Sequence, residues 1–380
     1  MQQSRVLVMV DWYAPGFKAG GPIRSAVNFA DQLEEDLDIW VFTTDRDLGD
    51  VAPYPGVTVD QWVQRGNHQV FYASPAFLTW SNILRLIRDI APGFLYLNSM
   101  FSRYCTIYPL LMHRFGFLDV RVVLAPRGML RRSALAHKPG KKKLFLRAFR
   151  LIGLGSNVEF QPTDEAEADD VRQVMGVGTK VLIAGNLPGR QRQFAAPPVK
   201  SPGMLRIVFV GRVHPIKNLL LLLEALQHQQ ADIELTVIAT PEDEAYLSKC
   251  EQMVQAFPEN IRVRFMMNLP HEKIEPVILA SHIFALPTRG ENFGHAIFEA
   301  LSAGRPVLIS DQTPWRRLTG KMAGWDLPLE NGVESFAAVI RSVADWDHNT
   351  LDSWCRGAWQ AAADYLGNNT LKQSYLKQFT

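Results

Sequence analysis

The sequence predicts an α/β protein of two Rossmann-like domains, each a parallel sheet covered by helices. Three observations carry that reading. The chain has 380 residues, more than one hydrophobic core ordinarily organises. Apolar runs of strand length alternate with amphipathic stretches of helix length, in two successive sets. Between the sets, the segment 185–203, GNLPGRQRQFAAPPVKSPG, loses all periodicity to Pro, Gly and polar residues and reads as a linker.

In the first set, strands are expected over 6–10, 39–44, 69–73, 94–98, 121–125, 158–160 and 180–183, with helices such as 79–90 between them. After the first strand, Gly20, Gly21 and Pro22 precede Ile23, Ala26, Val27, Ala30 and Leu33, which are spaced as one helix face. The second set has expected strands over 206–210, 233–239, 261–266, 282–287 and 306–310. The final region, 349–378, reads as helical and carries Trp354, Trp359, Tyr365 and Tyr375.

Composition narrows the class. Hydrophobic residues make up 47% and charged residues 21%, ordinary values for a soluble globular protein. No apolar run approaches the roughly 20 residues that span a bilayer. The start, MQQSRVLVMVDW, enters a strand directly, without the apolar core of a leader. Cys105, Cys250 and Cys355 are odd in number and lack metal or redox spacing, so reduced thiols and a cytoplasmic location are expected. Net charge is only +2, yet residues 127–150 hold nine Lys or Arg and no carboxylate. As a helix, this segment places Leu144, Phe145, Ala148, Phe149 and Ile152 on one face and Lys143, Arg147 and Arg150 on another. Such a helix suits an anionic membrane surface, while a solvated face on a core-packed helix fits equally. Nucleic acid is not expected, because no recognition module accompanies the basic patch.

The chemistry concentrates in 286–311, LPTRGENFGHAIFEALSAGRPVLISD. A short strand runs into a polar, glycine-bearing turn and then a helix over 296–301, closed by Gly304. Glu291 then sits at the carboxyl edge of a parallel sheet, and Glu299 about a turn and a half into the helix. Ligands of open α/β sheets lie outside that edge, where amides at a helix N-terminus hold phosphate. Either glutamate alone reads equally as a turn support or an exposed helix decoration. Upstream, the strand over 206–210 leads into Gly211-Arg212-Val213-His214-Pro215-Ile216-Lys217-Asn218 and a helical run over 219–226. Arg212 and Lys217 project from that loop, where two cations suit one diphosphate. Singly, each is an ordinary surface cation.

The pairing of VGRVHPIKN, a G-R-x4-K loop, with E-N-F-G-x4-E, an E-x7-E element, resembles the C-terminal half of family 4 retaining glycosyltransferases, which have the GT-B fold. Thr313-Pro314-Trp315 and Ala323-Gly324-Trp325-Asp326 also resemble members devoted to bacterial envelope polysaccharides. The resemblance implies a first domain over 1–190, a donor domain over 204–365, and a terminal helix over 366–380 crossing back to the first domain, with the aromatics packed there. It implies that Arg212 and Lys217 neutralise the donor diphosphate, that Glu291 binds donor-sugar hydroxyls and that Glu299 holds the ribose. The amides of Asn292, Phe293 and Gly294 would contact the phosphates, and the Gly20-Gly21 loop would face the phosphates and transferred sugar. The base would be read by loop contacts around 268–271.

One departure matters. Where many family members carry an acceptor-side histidine, this chain runs from 121–125 into Pro126-Arg127-Gly128-Met129. Arg127 is the first candidate for the missing catalytic cation, with His137 behind it, and both have structural alternatives. Asp45-Arg46-Asp47 has the look of a metal-binding pair but follows a strand of the first set, so it is read as a loop. With Arg212 and Lys217 present, no catalytic metal and no cofactor is expected.

The implied reaction moves a hexosyl unit, with retained configuration, from a UDP- or GDP-linked sugar to a hydroxyl of a lipid-linked or oligosaccharide glycan. It would serve exopolysaccharide, capsule or lipopolysaccharide synthesis at the inner face of the cytoplasmic membrane. Domain closure would exclude water from the donor. A nucleotide-sugar 2-epimerase shares the architecture and donor but needs no acceptor. A catalytically silent scaffold would hydrolyse no donor. A dinucleotide oxidoreductase is disfavoured by the lack of a clean G-x-G-x-x-G after a strand.

Overall fold

Two separate parallel sheets organise the chain. The computed structural model describes residues 3–131, 134–135, 139–367 and 370–379. It divides into one unit of Met1–Leu187 with Asn369–Thr380, and a second of Pro188–Asn368.

The first unit contains β1 (Arg5–Met9), β2 (Asp38–Thr44), β3 (Trp62–Arg65), β4 (His68–Ala73), β5 (Phe94–Leu97), β6 (Arg121–Leu124) and β7 (Val158–Phe160). They are ordered β3-β4-β2-β1-β5-β6-β7, and only β3 runs antiparallel to its neighbour. Residues 6–9 of β1 are fully buried, as a central strand covered on both faces requires. Around the sheet lie α1 (Gly21–Leu33), α2 (Trp80–Ile90), α3 (Tyr108–Arg114), α4 (Pro139–Ile152) and α5 (Glu165–Met175). Val181 makes only an isolated bridge to Phe160, so the strand expected over 180–183 does not form. On α4, Leu146 and Phe149 are buried. Leu144, Ala148 and Ile152, expected on that face, stand exposed. At about 100° per residue, the five-residue step from Phe149 turns Leu144 to the opposite side.

The second unit contains β8 (Met204–Val213), β9 (Asp232–Pro241), β10 (Ile261–Met267), β11 (Ile283–Leu286), β12 (Val307–Ser310) and β13 (Gly324–Leu327). Their order is β10-β9-β8-β11-β12-β13, with every neighbouring pair parallel. Its helices are α6 (Leu219–Leu226), α7 (Glu244–Gln255), α8 (Ile274–Leu279), α9 (His295–Ser302), α10 (Gly332–Ala344) and α11 (His348–Leu366). The stretch 188–203 is anchored to this unit rather than spanning freely. The Arg192 amide donates to Ser302 Oγ at 3.2 Å, and Lys200 Nζ donates to the carbonyls of Ala344 and Trp346 at 2.7 and 2.9 Å.

Trp354, Trp359 and Tyr365 also pack within the second unit, against Trp325, Phe194 and Trp315 respectively. Tyr375, on the last helix Thr370–Gln378, packs instead in the first unit, 5.7 Å from the Phe29 ring. In each sheet a central strand has earlier-numbered followers on one side and later ones on the other. The strand order therefore reverses between β1 and β5, and between β8 and β11. Parallel α/β sheets bind ligands at the carboxyl edge of such reversals.

Candidate functional site

At the β8/β11 reversal, two loops are fastened together by their backbones. β8 continues three residues beyond expectation, because its register with β9 holds as far as Val213 opposite Pro241. His214 Nδ1 then accepts the Ile216 amide at 3.1 Å, capping a single 3₁₀ turn over Pro215–Lys217. Asn218 takes a left-handed conformation, φ 57°, that redirects the chain into α6. Across the reversal, the Arg289 amide and Thr288 Oγ1 both donate to the Ile216 carbonyl, at 2.7 and 3.0 Å. The Glu291 amide donates to the Gln312 carbonyl at 3.0 Å, which holds the loop from its other side.

This double attachment brings Lys217 Nζ onto Glu291 Oε1 in an ion pair. The two side chains are only 14% and 12% exposed, so their attraction is screened less than that of a surface pair. The remaining two groups have other partners. Arg212 Nη1 meets Glu242 Oε2 at 2.6 Å, with both side chains well exposed, on the β9 side of β8. Glu299 Oε1 lies 3.0 Å from His271 Nε2, in the short 3₁₀ turn that follows β10. Arg192, ion-paired to Glu275, adds positive field at Glu299, and burial lowers its own proton affinity. Lys217 and Glu291 are thus in direct contact, while Arg212 and Glu299 pair instead with Glu242 and His271, residues that follow β9 and β10. Sequence reasoning missed Glu242. Its signal is its position directly after β9, at the same edge as Arg212.

Gly294 starts α9 with φ 79°, and a Cβ there would stand 2.7 Å from Ile297 Cδ1. Only glycine combines that backbone with that close approach. Phe293 turns its ring into the core beside Trp315, whose Nε1 donates to the Phe293 carbonyl at 2.6 Å. The Phe293 side chain therefore serves the core.

In the first unit, Gly20 precedes α1 with φ 65° and nothing within 4 Å of an added Cβ, so conformation rather than space calls for glycine. Gly21 is exposed as the first residue of α1. At the β1/β5 reversal Ser102 Oγ donates to Asp11 Oδ1 at 2.5 Å, and burial raises the Asp11 pKa above the usual carboxylate value. Arg127 spends its guanidinium inside this unit. Nε and Nη2 donate to Asn98 Oδ1 at 3.1 and 2.9 Å, Nη2 also to the Tyr96 hydroxyl at 2.7 Å, and Nη1 to Asn186 Oδ1 at 2.7 Å. His137 lies outside the described residues.

Asp45 and Asp47 brace a loop. Asp45 pairs with Arg46, while Asp47 accepts the amides of Phe17, Lys18 and Leu48 at 2.7, 3.0 and 2.8 Å. Among the described residues, Asp31, Glu34 and His68 also place ligand-type atoms within 4.8 Å of one another. Both His68 ring nitrogens already have partners, Tyr13 and Glu34, each at 2.9 Å.

Residues 205–345, which contain the β8/β11 edge, match the family described as "Glycosyl transferases group 1". The second unit thus matches a group 1 glycosyltransferase domain. A curated relative, D-inositol 3-phosphate glycosyltransferase of Mycobacterium sp. (strain JLS), is 27% identical over 217 residues, covering 56% of this chain and 46% of that protein. The chain thus spans about half the length of the curated relatives it matches. A sucrose-phosphate synthase from Thermosynechococcus elongatus aligns with a TM-score of 0.68 at 15% identity, over 100% of this chain and 99% of its own. Anabaena HepE in complex with UDP and glucose gives 0.68 at 13% identity, over 99% of each chain. The glycosyltransferase domain is therefore one half of a GT-B fold.

Proposed function

We propose that this chain is a retaining, metal-independent hexosyltransferase that uses a UDP- or GDP-linked sugar. The observation that carries the proposal is the Lys217–Glu291 pair fastened across the β8/β11 reversal. It puts a cation suited to pyrophosphate next to a carboxylate suited to sugar hydroxyls, at the sheet edge where ligands bind. Glu299, oriented by His271, is assigned to the ribose. The backbone at Asn292, Phe293 and Gly294, leading into α9, is assigned to the phosphates.

As the glycosidic bond loosens, negative charge grows on the diphosphate and positive charge on the sugar ring. Fixed cations at Lys217 and Arg212 then favour the transition state over the ground state. The departing phosphate takes the acceptor proton, so no protein nucleophile is required. Arg127 enters this reading as a positioning residue, because its donors join the ends of β5 and β6 to Asn186. In the first unit, the exposed α1 N-terminus at Gly21 is assigned to an anion contact. The acceptor is a lipid-linked or oligosaccharide glycan of an envelope polysaccharide, reached from the cytoplasmic membrane surface.

A thermal-shift panel of nucleotides and nucleotide-sugars tests the proposal. A ligand at a hundredfold excess over its Kd adds about 2.7 kcal/mol of apparent stability. UDP or GDP and one of their sugar conjugates should raise the melting temperature. No shift with any nucleoside diphosphate would overturn the proposal.

A further inference from the structure

The outward face of α4 mixes leucines with exposed cations. Phe145, Leu146 and Phe149 attach the helix to its unit, the first through a ring contact of 5.3 Å with Phe101. On the other side Leu144 is 71% and Leu151 88% exposed. Between and beside them stand Lys141, Lys143, Arg147 and Arg150, all exposed and in no ion pair with any described residue. The apolar surface continues onto the turn after α3, where Phe115 is 62% exposed. Arg114 Nε donates to the Ile152 carbonyl at 3.0 Å and holds that turn against the end of α4. No helix among the described residues is long and apolar enough to cross a membrane.

We propose that this face docks on an anionic bilayer, with Leu144, Leu151 and Phe115 entering the acyl boundary while the four cations meet lipid phosphates. The inference extends the reading in which the acceptor is lipid-linked. Its basis is charge and shape. The leucines protrude from a convex helix, whereas a protein partner of this kind would be met by a groove. Cations interleaved with protruding apolar residues match a headgroup layer above hydrocarbon. A purely electrostatic ligand, such as an acidic peptide or nucleic acid, has no use for Leu151 at that exposure.

Co-sedimentation with phosphatidylcholine vesicles, with and without phosphatidylglycerol, tests this. The full chain should bind only the phosphatidylglycerol vesicles, and less as salt rises. Replacing Lys141, Lys143 and Arg147 by Gln should weaken binding about fivefold per charge. Leu144→Asp/Leu151→Asp should weaken it at least about tenfold, and low salt should not restore it. Wild-type binding by the leucine variant would overturn the proposal, as would equal binding of both proteins to heparin with none to vesicles. The same variants are titrated with UDP by thermal shift. An unchanged shift with lost vesicle binding supports the docking face, and separates it from any failure of the nucleotide-sugar reading.

Discussion

Replacing Lys217 with Ala separates two consequences of one ion pair. Removing one partner of a fully buried pair costs about 3–5 kcal/mol, and of an exposed pair about 0–1 kcal/mol. Lys217 and Glu291 are 14% and 12% exposed, so Lys217→Ala should cost about 1–3 kcal/mol of stability, because the Glu291 carboxylate is left without its cation. The loss in turnover has a different origin. A fixed charge that stabilises a leaving group is worth about 10²–10³ in kcat.

The double variant Lys217→Ala/Glu291→Ala distinguishes the two effects. Removing the orphaned carboxylate should recover most of the stability and none of the turnover. Thermal denaturation reads the first, and nucleoside diphosphate release from a nucleotide-sugar, well below the melting temperature, reads the second. Near-wild-type turnover in a folded Lys217→Ala protein would refute the role in charge stabilisation. So would recovery of turnover in the double variant.

Two further outcomes follow from contacts at and beneath the same edge. Glu242→Gln should free Arg212 from its surface partner and tighten nucleoside diphosphate binding by up to about fivefold, read by calorimetry; weaker binding would mean that Glu242 itself serves the nucleotide. His282 is fully buried, with Nδ1 accepting the Arg206 amide at 3.0 Å and Nε2 donating to the Val199 carbonyl at 3.3 Å, and burial lowers its pKa to about 4. Its neutral ring contributes fully above the unfolded value of about 6.5, and the contribution falls, by up to about 3 kcal/mol, as pH drops toward 4. His282→Gln should flatten that part of the stability profile in urea unfolding, and an unchanged slope would assign the acid loss to other groups.

Most strands of both sheets are legible in the sequence because buried parallel strands are short, apolar and bounded by turn residues. Val158–Phe160 forms as expected, and Ile261–Met267 and Val307–Ser310 differ from expectation by one residue. The misses have local causes. Gly211 and Arg212 signal a turn, yet nine residues of β9 beyond Asp232 hold β8 in register through Val213. β3, with Trp62, Val63, Gln64 and Arg65, and β13, with its glycine start, lack the alternation or apolar run that marks a strand. Paired ladders define them instead.

At the site, the spacing of Lys217, Glu291 and Glu299 around strand ends was readable. Their partners were not. Glu242 and His271 arrive from β9 and β10 only once the strand order is known. Arg127 looked available in the sequence because its acceptors Asn98, Tyr96 and Asn186 come from distant segments.

Calorimetric titration of UDP and GDP into the wild-type chain and into Glu299→Ala tests the central claim most directly. Saturable binding of one nucleotide to the wild type, weakened about tenfold or more when the ribose carboxylate is removed, is the predicted result. Equal affinity in the two proteins would contradict it, since the nucleotide would then lie away from the edge formed by Lys217, Glu291 and Glu299.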